Sequence, residues 1–314
     1  MHCYAAETIN NTIVALYARH IETGEEKRFP ATLFADCTGD GTIGYLAGAE
    51  YRLGRESRTL TGEPTAPEKA DTLTMGFSNP WRALQKSQPS TFPICPWALQ
   101  FSNEYYLDET FGEWYWESGF AKDQLNRAEE IRDHNLRAIY GNWSFLKNNK
   151  PEKYAYWQLD WVAYVAGKRE SRRLMGDLVL QEQDIVNGKE YPDAMVTATW
   201  SIDLHYPQEK NSKYFPGNEF ISQYNHPKYK PYHIPYRCLY SKNISNLFMA
   251  GRNISVTHVA LGAVRVMRTT GMMGEAVGYA AYLCKKHTTT PRMVYEKYLD
   301  EFIQILTTDP LPCK

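Results

Sequence analysis

The pattern of apolar and polar positions divides the chain into a strand-rich start, a turn-rich and aromatic middle, and a helical end. Residues 13–20 (IVALYARH) and 29–36 (FPATLFAD) carry β-branched and aromatic side chains on either side of a polar stretch, 22–26, in which Gly24 supplies a permissive turn position. They predict two strands joined by a turn. A short helix is expected from Ile43 to Arg52. Residues 54–94, with Pro64, Pro67, Pro80, Pro89 and Pro93, read as connecting structure between domains. From Asp108 to Lys147, Leu125, Ala128, Ile131, Leu136, Ile139 and Tyr140 recur near a 3.6-residue period and predict helix, with Trp157 to Ala166 as an extension. Residues 195–206 alternate as a strand does, whereas 207–235, with five prolines and many tyrosines, reads as an irregular, ligand-bordering segment. Leu247 to Ala250 predicts a short buried strand, Gly262 to Lys286 one long helix, and Met293 to Leu306 a closing helix.

Composition narrows the classes. The 314 residues are 43% hydrophobic and 23% charged with net charge −1, which fits a soluble two-domain globule. It gives no electrostatic footprint for nucleic acid or an anionic membrane. No apolar run reaches the ~18 residues of a membrane span, and MHCYAAETINNT shows no signal peptide. The compartment is unknown from the sequence. Eight Trp and 23 Tyr imply aromatic packing; the sharper reading is a flat or sugar-like ligand stacked in a cleft. Cysteines at 3, 37, 95, 238, 284 and 313 show no C-x-x-C spacing, so small idle thiols and no metal site are expected.

Gly39-Asp40-Gly41-Thr42-Ile43-Gly44 fits G-x-G-x-x-G between a strand and a helix. A dinucleotide fingerprint also needs an acidic residue ending a second strand about 20 residues on, and YRLGRESRTLTGEPTAPEKAD is polar and turn-rich instead. The larger string ATLFADCTGDG, Ala31 to Gly41, reads better: a hydrophobic strand ending in small residues that let backbone approach a ligand. It resembles the strand by which a β-meander returns to the nucleotide domain in FAD-dependent oxidoreductases of the glutathione-reductase-like superfamily. The continuation Asp40-Gly41 narrows the resemblance to the bacterial FAD-dependent oxidoreductase family, some members of which carry a xanthan-lyase label.

A second string, residues 244–283, joins the strand Leu247 to Ala250 to Gly251-Arg252, a loop with His258, and a helix with Gly271, Gly274, Gly278 and Ala281 along one face. Each interior Gly costs roughly 0.8–1 kcal/mol relative to Ala, so something is expected to approach that helix closely. This order resembles the second FAD contact of the same superfamily. The resemblance implies Thr38, Gly39, Asp40, Gly41, Gly251 and Arg252 near the ribityl and pyrophosphate groups, and Arg268, Thr269 and Gly271 where a helix start faces the flavin ring. Arg252 stands where the superfamily has an acid, and would meet phosphate. His258 is the candidate acid/base group, since imidazole titrates near pH ~6.5, or else a structural histidine; Arg265 is the candidate for an anionic substrate group. His205 and His233 flank the aromatic middle segment as cleft-lining or packing residues. A third segment, GKRESRRLMGD at 167–177, echoes GRESR at 54–58 and offers either an ion-pair network across a domain seam or arginines for an anion.

The expected fold class is α/β (mixed α+β): an incomplete FAD/NAD(P)-binding-like domain with a β-meander (1–55 and 236–290), a mixed substrate/cap domain (56–235), and a C-terminal helix (291–314). The expected function is hydride transfer from a small-molecule or saccharide substrate to FAD. Family members begin with a strand and a true G-x-G-x-x-G, which are not seen before Ile13. The chain is therefore expected to be an N-terminally truncated form, binding FAD weakly or not at all and inactive alone. The alternatives are a polysaccharide lyase of the xanthan-lyase type and a scaffold fragment.

Overall fold

The computed structural model describes residues 1–215, 220, 222–225, 227 and 229–308. They form two compact units: unit 1 is Met1–Thr74, Glu170–Asp203 and Asn225–Lys314, and unit 2 is Met75–Arg169 and Leu204–Tyr224. Both mix helices with small sheets. Segments 56–74 and 170–203, assigned by sequence to the substrate/cap domain, fall in unit 1. Their buried carboxylates and Arg173 bond to the Val256–His258 backbone and side chains, which ties them there. The last part of the expected C-terminal segment, 309–314, lies outside the described residues.

Unit 1 opens with an antiparallel meander: β1 (His2–Ile9), β2 (Thr12–Arg19) and β3 (Glu26–Pro30). Sequence reading missed β1. Its signal was the Asn10-Asn11 pair, whose left-handed φ of 48° and 58° closes a two-residue hairpin. The single strand expected over 29–36 is two, because β3 ends at Pro30 and β4 (Phe34–Asp36) belongs to another sheet. β4 pairs in parallel with the Leu247–Met249 strand, Phe34 beside Leu247 and Asp36 beside Met249. Among the described residues no strand pairs with the other edge of β4. After β4 the chain turns into α1 (Thr42–Leu46), a single short turn of helix.

The long helix expected from Gly262 to Lys286 is two, His258–Val264 and Met267–His287. Val266 is extended (ψ 146°) and interrupts the ladder between them. The closing helix likewise divides into Pro291–Lys297 and Leu299–Thr308 at Tyr298. The glycine face of Met267–His287 also departs from expectation: a Cβ added at Gly271, Gly274 or Gly278 meets nothing within 4 Å. No described group fills the space where side chains at those three positions would stand. Among the described residues no helix is long and apolar enough to cross a membrane.

Unit 2 is built on the helix Ala128–Asn149, whose buried face includes Ala138, Ile139, Trp143 and Leu146. They pack with Trp81, Trp116, Tyr154 and Phe220 in one aromatic cluster, so these tryptophans serve the core. Residues 157–166 do not extend the helix: Trp157–Val162 is a strand paired with Trp81–Gln85, following the period-two order W-Q-L-D-W-V. Nor are residues 108–127 helical. Gly119 is left-handed (φ 86°) and Ser118 exchanges backbone hydrogen bonds with Phe77, an extended pairing that excludes a helix there. Residues 207–235, read as irregular, contain a 3-10 turn at Glu209–Lys213 and strands at Gln223–Asn225 and Tyr232–Pro235.

Candidate functional site

The site begins where β4 ends. Asp36 is fully buried and folds the following loop around its carboxylate: Oδ1 accepts from the Thr38 N–H (3.0 Å) and hydroxyl (2.7 Å), and Oδ2 from the Gly44 N–H (2.9 Å). Thr38 Oγ1 in turn accepts from the Thr42 N–H at 3.0 Å. Gly39 and Gly41 take left-handed φ of 72° and 61°, where other residues are strained. The Leu247–Met249 strand delivers its own end to this loop. Ala250 N–H and Asn253 Nδ2 both donate to the Asp36 carbonyl, at 3.1 and 3.0 Å. Arg252 Nη2 pairs with Asp40 Oδ1 at 2.7 Å, and a Cβ on Gly39 would stand 2.2 Å from Arg252 Nη1. Glycine at 39 is thus what lets the guanidinium lie on the loop. Arg252 Nε is buried and has no hydrogen-bond partner among the described residues. Thr38, Gly39, Asp40, Gly41, Gly251 and Arg252, far apart in sequence, therefore share one place in unit 1.

A second cluster in unit 1 centres on Arg173, which is fully buried. It bonds Glu170 and Glu56, the latter at 2.8 Å, and donates to the carbonyls of Gly54 and Val256. His258 leans on the same carboxylates: its N–H donates to Glu56 Oε2 at 2.9 Å and its Nδ1 lies 2.9 Å from Glu170 Oε2. Thr257 caps the His258–Val264 helix by accepting from Ala260 N–H, and its hydroxyl bonds Glu63. Glu63 also accepts from the Glu182 N–H at 2.8 Å, while its Oε2 is buried without a partner among the described residues. Burial pushes the Glu63 carboxyl up from the usual range. Burial also works upward on Glu56, but Arg173 and the His258 N–H outweigh it and hold that carboxyl low. The two R-E-S echoes thus resolve into Glu56 and Glu170 gripping Arg173 inside unit 1. This network was visible in the sequence only as clustered charge.

The remaining candidates lie apart. Arg265 is held by Asp203, Nη2 to Oδ2 at 3.0 Å. Arg268 is exposed, Thr269 buried and Gly271 open on the Met267–His287 helix. Among the described residues no hydrogen bond or ion pair joins these three to the Asp36–Gly41 loop. In unit 2, His205 is buried with Nδ1 2.6 Å from Glu117 Oε2, and Arg169 lies 3.6 Å from the same Glu117. His233 contacts Thr197 at 3.3 Å. Sequence reading missed Arg172, whose guanidinium carbon sits 3.8 Å from the Tyr45 ring centre beside the loop. Its only signal was membership of the third arginine-rich segment.

Neither the curated proteins nor the solved structures yielded a match to this chain. The model of one family does match, over residues 2–306, so that meander, loop, aromatic unit and helical end are all included. On that match the chain belongs to the FAD dependent oxidoreductase family.

Proposed function

We propose that the chain transfers a hydride from a carbon–hydrogen bond of a small organic or saccharide substrate to FAD, with Thr38–Gly41 and Gly251–Arg252 holding the cofactor's phosphate-bearing part. The observation behind this reading is the parallel pairing of β4 with Leu247–Met249, closed by the Arg252–Asp40 pair. The residues fit such a group: Arg252 lies on the loop with its Nε buried and without a protein partner among the described residues. FAD, when bound, supplies the two-electron acceptor. His258 is assigned the proton-handling role at Nε2, because Glu170 fixes Nδ1 and so sets the ring's orientation. Arg265, steadied by Asp203, is assigned an anionic substrate group, and Arg268, Thr269 and Gly271 the flavin-ring side.

The reading includes a further strand–turn–helix with its own G-x-G-x-x-G. Two observations support it: the edge of β4 without a strand partner among the described residues, and the open glycine face at Gly271, Gly274 and Gly278. A lone two-stranded parallel sheet is uncommon, since parallel strands are normally part of larger, covered sheets. Among the described residues nothing in the geometry favours the polysaccharide-lyase alternative.

An anaerobic titration tests the proposal. A saturable change in the flavin spectrum, followed by bleaching on addition of a candidate alcohol or sugar, is the expected result. A spectrum that stays that of free flavin at every protein concentration, while ultraviolet-absorbing elimination products accumulate, would overturn it.

A further inference from the structure

Around the Gly39–Gly41 loop most guanidinium groups are spent on protein carboxylates. Arg252 is on Asp40, Arg173 on Glu56 and Glu170, Arg55 on Asp71, and Arg52 lies 3.7 Å from Glu56. Arg172 differs. Among the described residues it has no ion pair, and its one hydrogen bond is a long one from Nη1 to the Asp40 carbonyl, 3.4 Å. We propose that Arg172 is a phosphate-binding residue that clamps the pyrophosphate of FAD against the Gly39–Gly41 loop; the inference rests on the FAD reading above.

The argument is one of presentation. The Arg172 guanidinium lies 3.8 Å from the Tyr45 ring centre and 5.8 Å from that of Tyr51, and those two rings meet edge to face at 5.7 Å. Stacking on an aromatic uses the face of the guanidinium and leaves its in-plane N–H groups for an acceptor. Those N–H groups form the fork that matches two phosphate oxygens. The backbone beneath is fixed. Leu174 is fully buried, its strand Arg173–Leu174 pairs with Tyr51–Arg52, and its side chain fills the space where Gly41 and Gly44 have no Cβ. Arg172 thus immediately precedes a paired strand and lies directly beside the loop.

Charge agrees. Asp40 opposes an anion here, but Arg252 and the Ser171 hydroxyl, each 2.7 Å from its Oδ1, already engage that carboxylate. With Asp36 turned onto the loop's own Thr38 and Gly44 N–H groups, two guanidiniums balance two carboxylates, so the loop carries no net negative charge to repel an anion. A carboxylate ligand would satisfy one fork. A pyrophosphate offers oxygens to both Arg172 and the orphaned Arg252 Nε.

The test is a binding series, read by calorimetry or flavin fluorescence, on the wild-type chain, R172A, R172K and R127A. The probes are FAD, inorganic pyrophosphate and riboflavin, the last lacking phosphate. Arg127 is an exposed residue of unit 2 paired with Glu130 and serves as the charge control. R172A is expected to weaken FAD and pyrophosphate by about tenfold or more while leaving riboflavin unchanged. R172K should keep part of the effect, and R127A should match wild type. If R172A proves poorly folded by circular dichroism, R172K carries the comparison, because it keeps the charge and loses the planar fork. Wild-type binding left unaltered in the Arg172 variants would overturn this inference and spare the FAD reading. Equal losses for riboflavin and FAD would also overturn it. A wild-type chain with no saturable response to FAD or pyrophosphate would sink both.

Discussion

Arg173 in unit 1 and Trp143 in unit 2 are both essentially inaccessible to solvent, yet one is surrounded by carboxylates and the other by rings. Around Arg173, residues 56, 170 and 256–258 are joined through charged and directional bonds. Around Trp143, residues 81, 116, 154 and 220 are joined through apolar surface, and the buried Glu117–His205–Ser222 group is a minority feature. Directional bonds fix orientation as well as position, whereas apolar contact tolerates repacking. The contrast explains why His258 and Arg252, whose proposed roles need a set direction, lie in unit 1.

The largest expected effect comes from breaking the charged centre. R173A leaves Glu170 and Glu56 buried without their cation, and removal of one partner from a buried pair costs about 3–5 kcal/mol. Urea denaturation should show unit 1 unfolding early while the tryptophan signal of unit 2 persists. The matching change in unit 2, L146A, removes a fully buried side chain from the aromatic cluster and should cost about 3 kcal/mol. It should leave pyrophosphate binding intact. A cost for R173A below that of L146A would mean that the charge network is not what secures unit 1.

The same contrast decides what the sequence could reveal. The convergence of β4 and Leu247–Met249 was legible through the family resemblance of the two strings, each an apolar strand running into small residues, and not from either stretch alone. Trp157–Val162 was misread because its aromatic and aliphatic spacing is compatible with a helix face until its partner Trp81–Gln85 is known. β1 was overlooked because its alternation is weak, although Asn10-Asn11 marked the hairpin. Arg172 and Arg173 are neighbours with identical chemistry. One turns into carboxylates and the other onto Tyr45, and only the strand pairing with Tyr51–Arg52 settles which is which. The glycine face at 271–278 was legible as unusual, but its openness depends on what surrounds it.

The smallest effect separates two carboxyls within the charged cluster itself. Burial raises the Glu63 carboxyl in the folded chain, so the native state binds more protons than the unfolded one above the ordinary carboxyl range. Its contribution to stability is therefore fully present below the unfolded pKa and is lost as pH rises through the folded value. Glu56 is held low, so its contribution is present at neutral pH and is lost as pH falls through its own folded value. E63Q keeps an amide oxygen for the Thr257 hydroxyl and the Glu182 N–H and removes the charge. Its melting temperature should gain on wild type as pH rises from about 4.5 toward neutrality. E56Q loses the carboxylate that faces Arg173 and the His258 N–H, so it should lie below wild type by a steady margin over that interval and close the gap only as pH falls below about 4.5. Thermal melts of the three proteins across that interval give the answer directly. Parallel curves for E63Q and E56Q would show that the cluster acts as one averaged charge, and the distinction between directed and apolar burial would lose its sharpest support.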